Sequence, residues 1–377
     1  MPPDAPGWPP GFGRGPSEQE ALLVISHLET LTPRRFVELA WTEGSARACL
    51  RAVRRGVSGE RDRNLAECVN VVAVRGRLAA CEARLIGPFD REYPARLLRL
   101  PDPPAVLFAR GRSLDEQIAA VAVVGARSCS DYGREIGEAI GRGIADHGVT
   151  VVSGAARGVD SAAHRGALSV GGPTIAVLGS GIDVAYPSGN RRLIEDIARR
   201  GTVVSEYPPG IRPMPRRFPA RNRLIAALSR AVVVVEGAAG SGSLITAEFA
   251  LDLGSEVFAV PGPVTSPLSA APHELIREGA PLVRGSEDVL IALGIAQSSV
   301  GKPALLDGLS SEERRVLEGV VGEPITAEAI AGRAELPINA ALAVLMSLEV
   351  RGLVRAAAGR YQRTSSAAQI PAESPAS

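Results

Sequence analysis

Six arginines, Arg212, Arg216, Arg217, Arg221, Arg223 and Arg230, fall between Tyr207 and Val235 with no Asp or Glu among them, in a chain whose formal net charge is only +1. A guanidinium cluster without counter-charge suits a polyanion, because each planar fork can grip a phosphate through two parallel hydrogen bonds. Phe218 sits inside the same run, PRRFPARNRLIAALS, just ahead of the apolar strand AVVVVE. Cations and a stacking ring delivered together to one sheet edge fit a phosphate backbone with an unstacked base. A solvated basic helix face is the other reading open at this point. Lys302 is the only lysine, so the abundance of arginine reflects a compositional habit. The missing acids are the stronger signal, since a general exchange of Lys for Arg would not strip Asp and Glu from one segment.

Three glycine- and serine-rich loops offer related chemistry. VAVVG runs into Gly125-Ala126-Arg127-Ser128 and then, through Ser130 and Gly133, into a helix. Main-chain N–H groups at that helix start and the Arg127 fork can share one phosphate, although a plain βα turn with an arginine salt bridge would read the same way. The segment Ser153-Gly154-Ala155-Ala156-Arg157-Gly158 repeats the design, with Asp160 placed to cap or to hold Arg157. Ser161 and His164 follow on the first helical turns, and His164 reads as a packed helix residue. The third loop, EGAAGSGSLITAEFA, sets Ser241, Gly242, Ser243 and Thr246 beside uncapped helix N–H groups.

What these loops lack excludes other chemistry. Lys302 precedes Pro303 and cannot complete a Walker A sequence, and no G-x-G-x-x-G follows the first strand, which argues against an ATP-driven motor and against NAD or FAD. Asp160, Asp183, Glu206 and Glu236 are each a crossover apart, too dispersed for a two-metal nuclease centre, and are expected to orient arginines and cap helices. No cofactor and no metal is expected.

The elements that must position these loops follow from hydrophobic pattern. From Ile118 to about Leu293, short β-branched runs (VAVVG, TVVSG, TIAVLG, TVVSE, AVVVVE, EVFAVPG) alternate with single helical segments. Near-continuous apolar strands joined by crossovers predict a doubly wound, mostly parallel α/β sheet, with ligands outside the carboxyl ends of its strands. Residues 17–85 have helical apolar spacing broken at Thr32-Pro33 and Gly44, and residues 304–363 read as a winged helix. Within the latter, Ser310 and Glu313 have capping-box spacing, Thr326 can cap a second helix, and INAALAVLMSLEVRGL forms a third. That third helix offers mainly Ala, Leu, Val and Met, with Arg351 its one basic residue. It is therefore poorly equipped to read a major groove, and a protein-contacting or structural role is expected. Residues 1–16 and 364–377, rich in Pro, Gly, Ser and Ala, are expected to be disordered tails, and Gln297–Pro303 a linker.

With 45% hydrophobic and 22% charged residues the composition is that of an ordinary globular protein. Cys49, Cys68, Cys81 and Cys129 form no C-x-x-C pair, and no apolar run approaches the roughly 18 residues of a membrane span. A reducing, cytoplasmic location and no membrane partner are expected.

Residues from about Arg84 to Leu290 closely resemble the DNA-processing protein A family, also called the Smf family, whose core is an extended Rossmann-like domain. The resemblance rests on ARLIGPFDREYPARLLRLPDPPAVLFARG, VAVVGARSCSDYG, SGAARGVDSAAH, AVLGSGIDVAYPSGNRRL, SEYPPG with FPARNRLIAALS, and EGAAGSGSLITA with VFAVPG. It implies residues 86–295 as that domain with its lead-in, a SAM or helix-hairpin-helix-like helical domain before it, and a winged helix after it. It also implies a cytoplasmic homodimer that binds single-stranded DNA, cleaves nothing, and loads the RecA recombinase during natural transformation and recombination. By the same resemblance Gly125, Arg127, Ser130 and Gly133 form one DNA-contacting loop, and Phe218, Arg221, Asn222 and Arg223 the second wall of a strand pocket, with Arg217 of the arginine cluster expected beside them. Ser153, Gly154 and Arg157 join them, and Ser241, Gly242, Ser243 and Thr246 supply donors. Two segments depart from the pattern: Ala155 stands where a leucine is usual, and Ser269-Ala270-Ala271-Pro272-His273 lacks a glycine. The alternative is a Rossmann-like nucleotide phosphoribohydrolase, with Glu248 near its catalytic position. EGAAGSGSLITAE lacks that enzyme's P-G-G start and Gly-Thr spacing.

Overall fold

The computed structural model describes residues 7–114, 119–296, 309–321, 324–357 and 359–364. The expected linker at 297–303, the expected start of the alternating region at Ile118, and the terminal segments 1–6 and 365–377 lie outside the described residues. The chain divides into two compact units, 1–293 and 294–377.

The first unit begins with helices α1 (Pro16–Ile25), α2 (Pro33–Glu43), α3 (Ala46–Arg54), α4 (Glu60–Cys68) and α5 (Val71–Ala80). Thr32, Ser45 and Asn70 cap three of them by accepting the third helical N–H. Their buried side chains merge into one cluster with Phe108, Leu178, Ile197 and Val203, so the helices share a core with the sheet that follows. The stretch from Gly7 to Gly15, expected as a structureless tail, is packed. Trp8 and Phe12 stack at 4.8 Å, and Phe36 closes on Trp8 at 5.3 Å. Two aromatics bury enough apolar area to offset the ordering of a glycine-rich turn; Gly11 and Gly13 supply its left-handed φ of +78° and +77°.

Asp62 fastens the α1–α2 connection. Its carboxylate accepts from the N–H groups of Glu29 (2.9 Å), Thr30 (3.1 Å) and Leu31 (2.8 Å) and from the Thr30 hydroxyl (2.6 Å). Burial pushes the Asp62 carboxyl up, but the Thr30 hydroxyl and these N–H groups outweigh it and hold it below its usual range. Because the folded value is depressed, the stabilisation is present above the unfolded value and lost as the pH falls through the folded one. Asp62→Asn is expected to lower stability by about 2 kcal/mol at pH 7. In urea unfolding, that deficit should shrink as the pH is lowered below about 4.

Strands β1 (Ala83–Ile86) and β2 (Leu107–Gly111) are antiparallel additions. The expected alternating region follows: β3 (Ala120–Val124), α6 (Asp131–Asp146), β4 (Thr150–Ser153), α7 (Val159–Ser169), β5 (Thr174–Leu178), α8 (Arg191–Arg200), β6 (Thr202–Ser205), α9 (Arg217–Leu228), β7 (Ala231–Val234), α10 (Gly242–Asp252) and β8 (Glu256–Ala259). The sheet order is β1-β2-β6-β5-β4-β3-β7-β8, with β3 to β8 mutually parallel. All six predicted parallel strands are present, and the α/β, Rossmann-like fold class holds. The lead-in to this region forms β1 and β2, and Leu107 and Phe108 bury against the sheet. Helices α11 (Ala270–Arg277) and α12 (Ser286–Ala292) end the unit.

The second unit is a winged helix: α13 (Ser311–Gly319), β9 (Ile325–Thr326), α14 (Ala327–Ala334), α15 (Ile338–Val350), β10 (Val354–Ala357) and β11 (Arg360–Arg363), with the three strands antiparallel in the order β10-β11-β9. Ser310 and Glu313 close the capping box, and Thr326 caps α14. Arg351, just after α15, pairs with Glu313 at 3.2 Å, while Ile338, Leu342, Met346 and Val350 on that helix are exposed at four-residue spacing. No helix of the described residues is long and apolar enough to cross a membrane by itself.

Candidate nucleic-acid interface

Chain order reverses at β3, which lies between β4 on one side and β7 on the other. Such a reversal leaves a crevice at the carboxyl ends of the strands. Here it is a cavity of about 320 Å³ lined by the loop after β3 (Gly125, Arg127, Ser128), by Arg221 and Asn222 of α9, and by Ser241, Gly242, Ser243 and Thr246 at the start of α10.

Local sequence explains the opening. Ser241 stands at the amino end of α10 in extended conformation but makes no capping bond; its hydroxyl pairs instead with Ser243 Oγ at 2.6 Å. The positive end of α10 is therefore turned toward the cavity without a side-chain cap. Asn222 Nδ2 donates to Gly242 O at 3.0 Å and ties α9 to this corner. The departing segment 269–273 supports it from behind, Ala271 N donating to Gly237 O at 2.9 Å and His273 Nε2 lying 3.0 Å from Gly262 O.

An aromatic platform adjoins the cavity. The exposed Arg127 guanidinium lies 5.0 Å from the Phe218 ring centroid, Phe218 meets Tyr186 at 5.2 Å, and the Arg217 guanidinium lies 4.9 Å from the Tyr207 ring. Gly179 makes room for it, since a Cβ there would stand 2.9 Å from Phe218 Cδ1. Burial pushes the Tyr207 phenol up to about 12, so the platform carries guanidinium charge and no phenolate at neutral pH.

Several residues singled out from sequence hold loops in place. Ser130 caps α6 through Gly133 N (3.0 Å), while its own N–H and hydroxyl donate to the buried Glu236 at 2.9 and 2.6 Å. Gly133 is bare because a Cβ would run into the Glu236 carboxylate. Ser153 Oγ donates to Val123 O at 2.7 Å, out of reach of solvent. Gly154 packs against the Arg221 guanidinium, and Arg157 is exposed on the loop after β4. His164 is fully buried, contacts Thr174 Oγ1 at 2.7 Å, and is pushed down to about 3 by burial.

Arg221 and Arg223 do not form the exposed wall expected of them. Positions two apart on a helix point about 200° apart, and here each is 4% exposed. Arg221 Nη1 donates to Gly154 O at 2.7 Å and to Val177 O, and burial draws its guanidinium down to about 10. Asp160, expected beside Arg157, is its electrostatic partner instead and accepts from the N–H groups of Gly154 and Ala156. Arg221 thus floors the cavity. Arg223 lies elsewhere, between Glu206 at 2.7 Å and Asp102 at 3.2 Å. Burial pushes the Glu206 carboxyl up and Arg223 opposes it.

Sequence reasoning missed Tyr186, Tyr207 and Asn190 as positioning or platform residues; Glu236, expected to orient an arginine or cap a helix, accepts from Ser130 at the start of α6. Asn190 Nδ2 donates to Ala155 O and Ala156 O at 3.0 and 3.1 Å, holding the loop after β4 where Ala155 adopts φ +51°. The available signal was the AYPSGN segment just before α8, an aromatic in a small-residue turn.

The family model described as DNA recombination-mediator protein A matches residues 84–294, and that of the DprA winged helix domain matches 300–360. The chain is 39% identical over 292 residues to protein Smf of Escherichia coli, covering 75% of this chain and 78% of that protein. It is 47% identical over 201 residues to the DNA processing protein DprA of Streptococcus pneumoniae, covering 53% and 71%. The crystal structure of DNA processing protein A from S. pneumoniae aligns with a TM-score of 0.55 at 36% identity, over 70% of this chain and 98% of that one. The protein of the same name from Helicobacter pylori, described for its single-stranded DNA binding mode, aligns with a TM-score of 0.52 at 29% identity, over 56% and 95%.

Proposed function

The chain belongs to the DNA recombination-mediator protein A family, and we propose that it binds single-stranded DNA along the carboxyl edge of its sheet without cleaving it. The observation that carries this reading is the adjacency of the Arg127–Phe218–Tyr186 group to the cavity at the start of α10. Ring faces accept any base, while uncapped N–H groups and guanidinium charge accept phosphate, so the pair of features fits an unpaired strand of arbitrary sequence. A duplex keeps its bases stacked inside and cannot use the rings. In this reading Arg127, Arg157 and Arg217 meet the backbone. Ser241, Gly242, Ser243 and Thr246 line the phosphate position, and Gly125, Ser130, Gly133, Ser153 and Gly154 fix the loops that carry them. Glu248, on which a nucleotide-cleaving alternative rests, is exposed on α10 and is not among the residues lining the cavity. We extend the proposal to a cytoplasmic homodimer that hands bound strands to the RecA recombinase in transformation and recombination, as its membership of the family suggests.

Filter binding of single- and double-stranded DNA at two salt concentrations tests the reading. Single strands should bind more tightly, with log affinity falling by roughly 0.7 per phosphate contact for each tenfold rise in salt. Equal affinity for duplex, or release of free base from AMP, would overturn it.

A further inference from the structure

We propose that the opposite edge of the sheet, where β3, β4, β5 and β6 begin, carries a binding site for a small branched organic carboxylate. A second cavity of about 140 Å³ lies there, lined by Arg96, Arg112, Thr150, Leu114, Ile175 and Leu228 among others. It is less than half the volume of the cavity at the carboxyl edge.

One buried hydroxyl in this cavity lacks the partner that buried polar groups normally have, and one guanidinium in its lining has no counter-charge among the described residues. Thr150 is 2% exposed, and its Oγ1 makes no hydrogen bond among the described residues. Arg96 is half-buried and held rigidly: Nε donates to Ala227 O at 3.1 Å, and Nη2 donates to Ser229 O at 2.6 Å and Ser255 Oγ at 3.0 Å. Those bonds cap the carbonyl end of α9 and leave Nη1 unused. The charged groups that act on Arg96 are Arg99 and Arg230, both of its own sign, and burial with these two draws its guanidinium down. Among the described residues no carboxylate pairs with it.

Leu114, Ile175 and Leu228 supply apolar wall. Water would satisfy the Thr150 hydroxyl but would neither answer the guanidinium charge nor use that wall. A neutral apolar molecule would leave the Thr150 hydroxyl unpaired and the Arg96 charge unanswered, at a cost. A carboxylate answers all three features, with one oxygen accepting from Thr150 Oγ1, the other facing Arg96 Nη1, and a short alkyl branch against the leucines and Ile175. Such ligands are single, small and monoanionic, so this site is chemically distinct from the polyanion edge.

Isobutyrate and its neutral isostere isobutyramide distinguish the outcomes when titrated into the full-length protein, with the methyl resonances of Leu114, Ile175 and Leu228 followed by NMR. Isobutyrate should shift these methyls saturably and bind at least about tenfold more tightly than the amide, the size of one charge-assisted contact. Thr150→Val, which keeps the side-chain shape, should weaken isobutyrate by about tenfold and leave the amide less affected. Equal affinity of acid and amide for the unaltered protein would overturn the proposal whether or not the variant folds. So would the absence of saturable shifts at those three residues.

Discussion

Replacing Arg223 with alanine is expected to lower the free energy of unfolding by about 3–5 kcal/mol, the effect of removing one member of a buried ion pair. Arg223 contacts Glu206 at 2.7 Å and Asp102 at 3.2 Å, and the three side chains are 5%, 14% and 25% exposed. Alanine would leave Glu206 dehydrated with no cation to answer it, and Tyr93, packed close by, cannot compensate because its hydroxyl already donates to Pro104 O at 2.7 Å. The loss comes from the abandoned carboxylate more than from the missing attraction. An Arg223→Met, Glu206→Leu double exchange should therefore recover the part of the deficit that Glu206 causes, since a dry apolar contact of similar volume replaces that pair and only the more exposed Asp102 is left without its cation. Urea unfolding of the three proteins measures both quantities. Single-strand affinity per folded molecule should stay within about twofold of the parent, because the guanidinium is 4% exposed and does not line the cavity. A variant that unfolds like the parent yet binds DNA poorly would return Arg223 to the interface.

The F-P-x-R-N-R segment shows where sequence is legible and where it stops. Strand runs such as VAVVG and AVVVVE announce themselves because a parallel strand is covered on both faces and must be apolar throughout. The small residues after each strand were equally readable, and β3, β4 and β7 do open onto one cavity through them. The fate of an arginine was not readable, because it depends on partners that only the fold brings close. Asp102 lies in the lead-in and Glu206 at the end of β6, and nothing local distinguishes Arg223 from the exposed Arg127. The amino-terminal stretch failed for a related reason. Its glycines and prolines signal disorder, but Trp8 and Phe12 find Phe36 across a helix turn, and two rings outweigh a compositional trend.

The largest loss of DNA binding is expected from Arg127→Ala combined with Phe218→Ala. Phe218 offers a ring face on which a base can stack, a contact worth about 1–3 kcal/mol by truncation, and Arg127 offers a charge-assisted bond of about 1.5–3 kcal/mol. The two are not independent, because the Arg127 guanidinium rests 5.0 Å from the Phe218 ring and loses its support when the ring is removed. The double variant should thus fall short of the simple sum, losing about 2–4 kcal/mol, or roughly 30- to 700-fold in affinity for an oligothymidine strand. Folding should be little changed, since Arg127 is exposed and Phe218 only partly buried. Anisotropy titrations at two salt concentrations separate the contributions. Arg127→Ala should flatten the salt dependence by about 0.7, one phosphate contact, whereas Phe218→Leu should weaken binding with the slope preserved. Should Phe218→Leu bind as tightly as the parent, stacking is no part of recognition, and the arginines at this edge act as a charged surface alone.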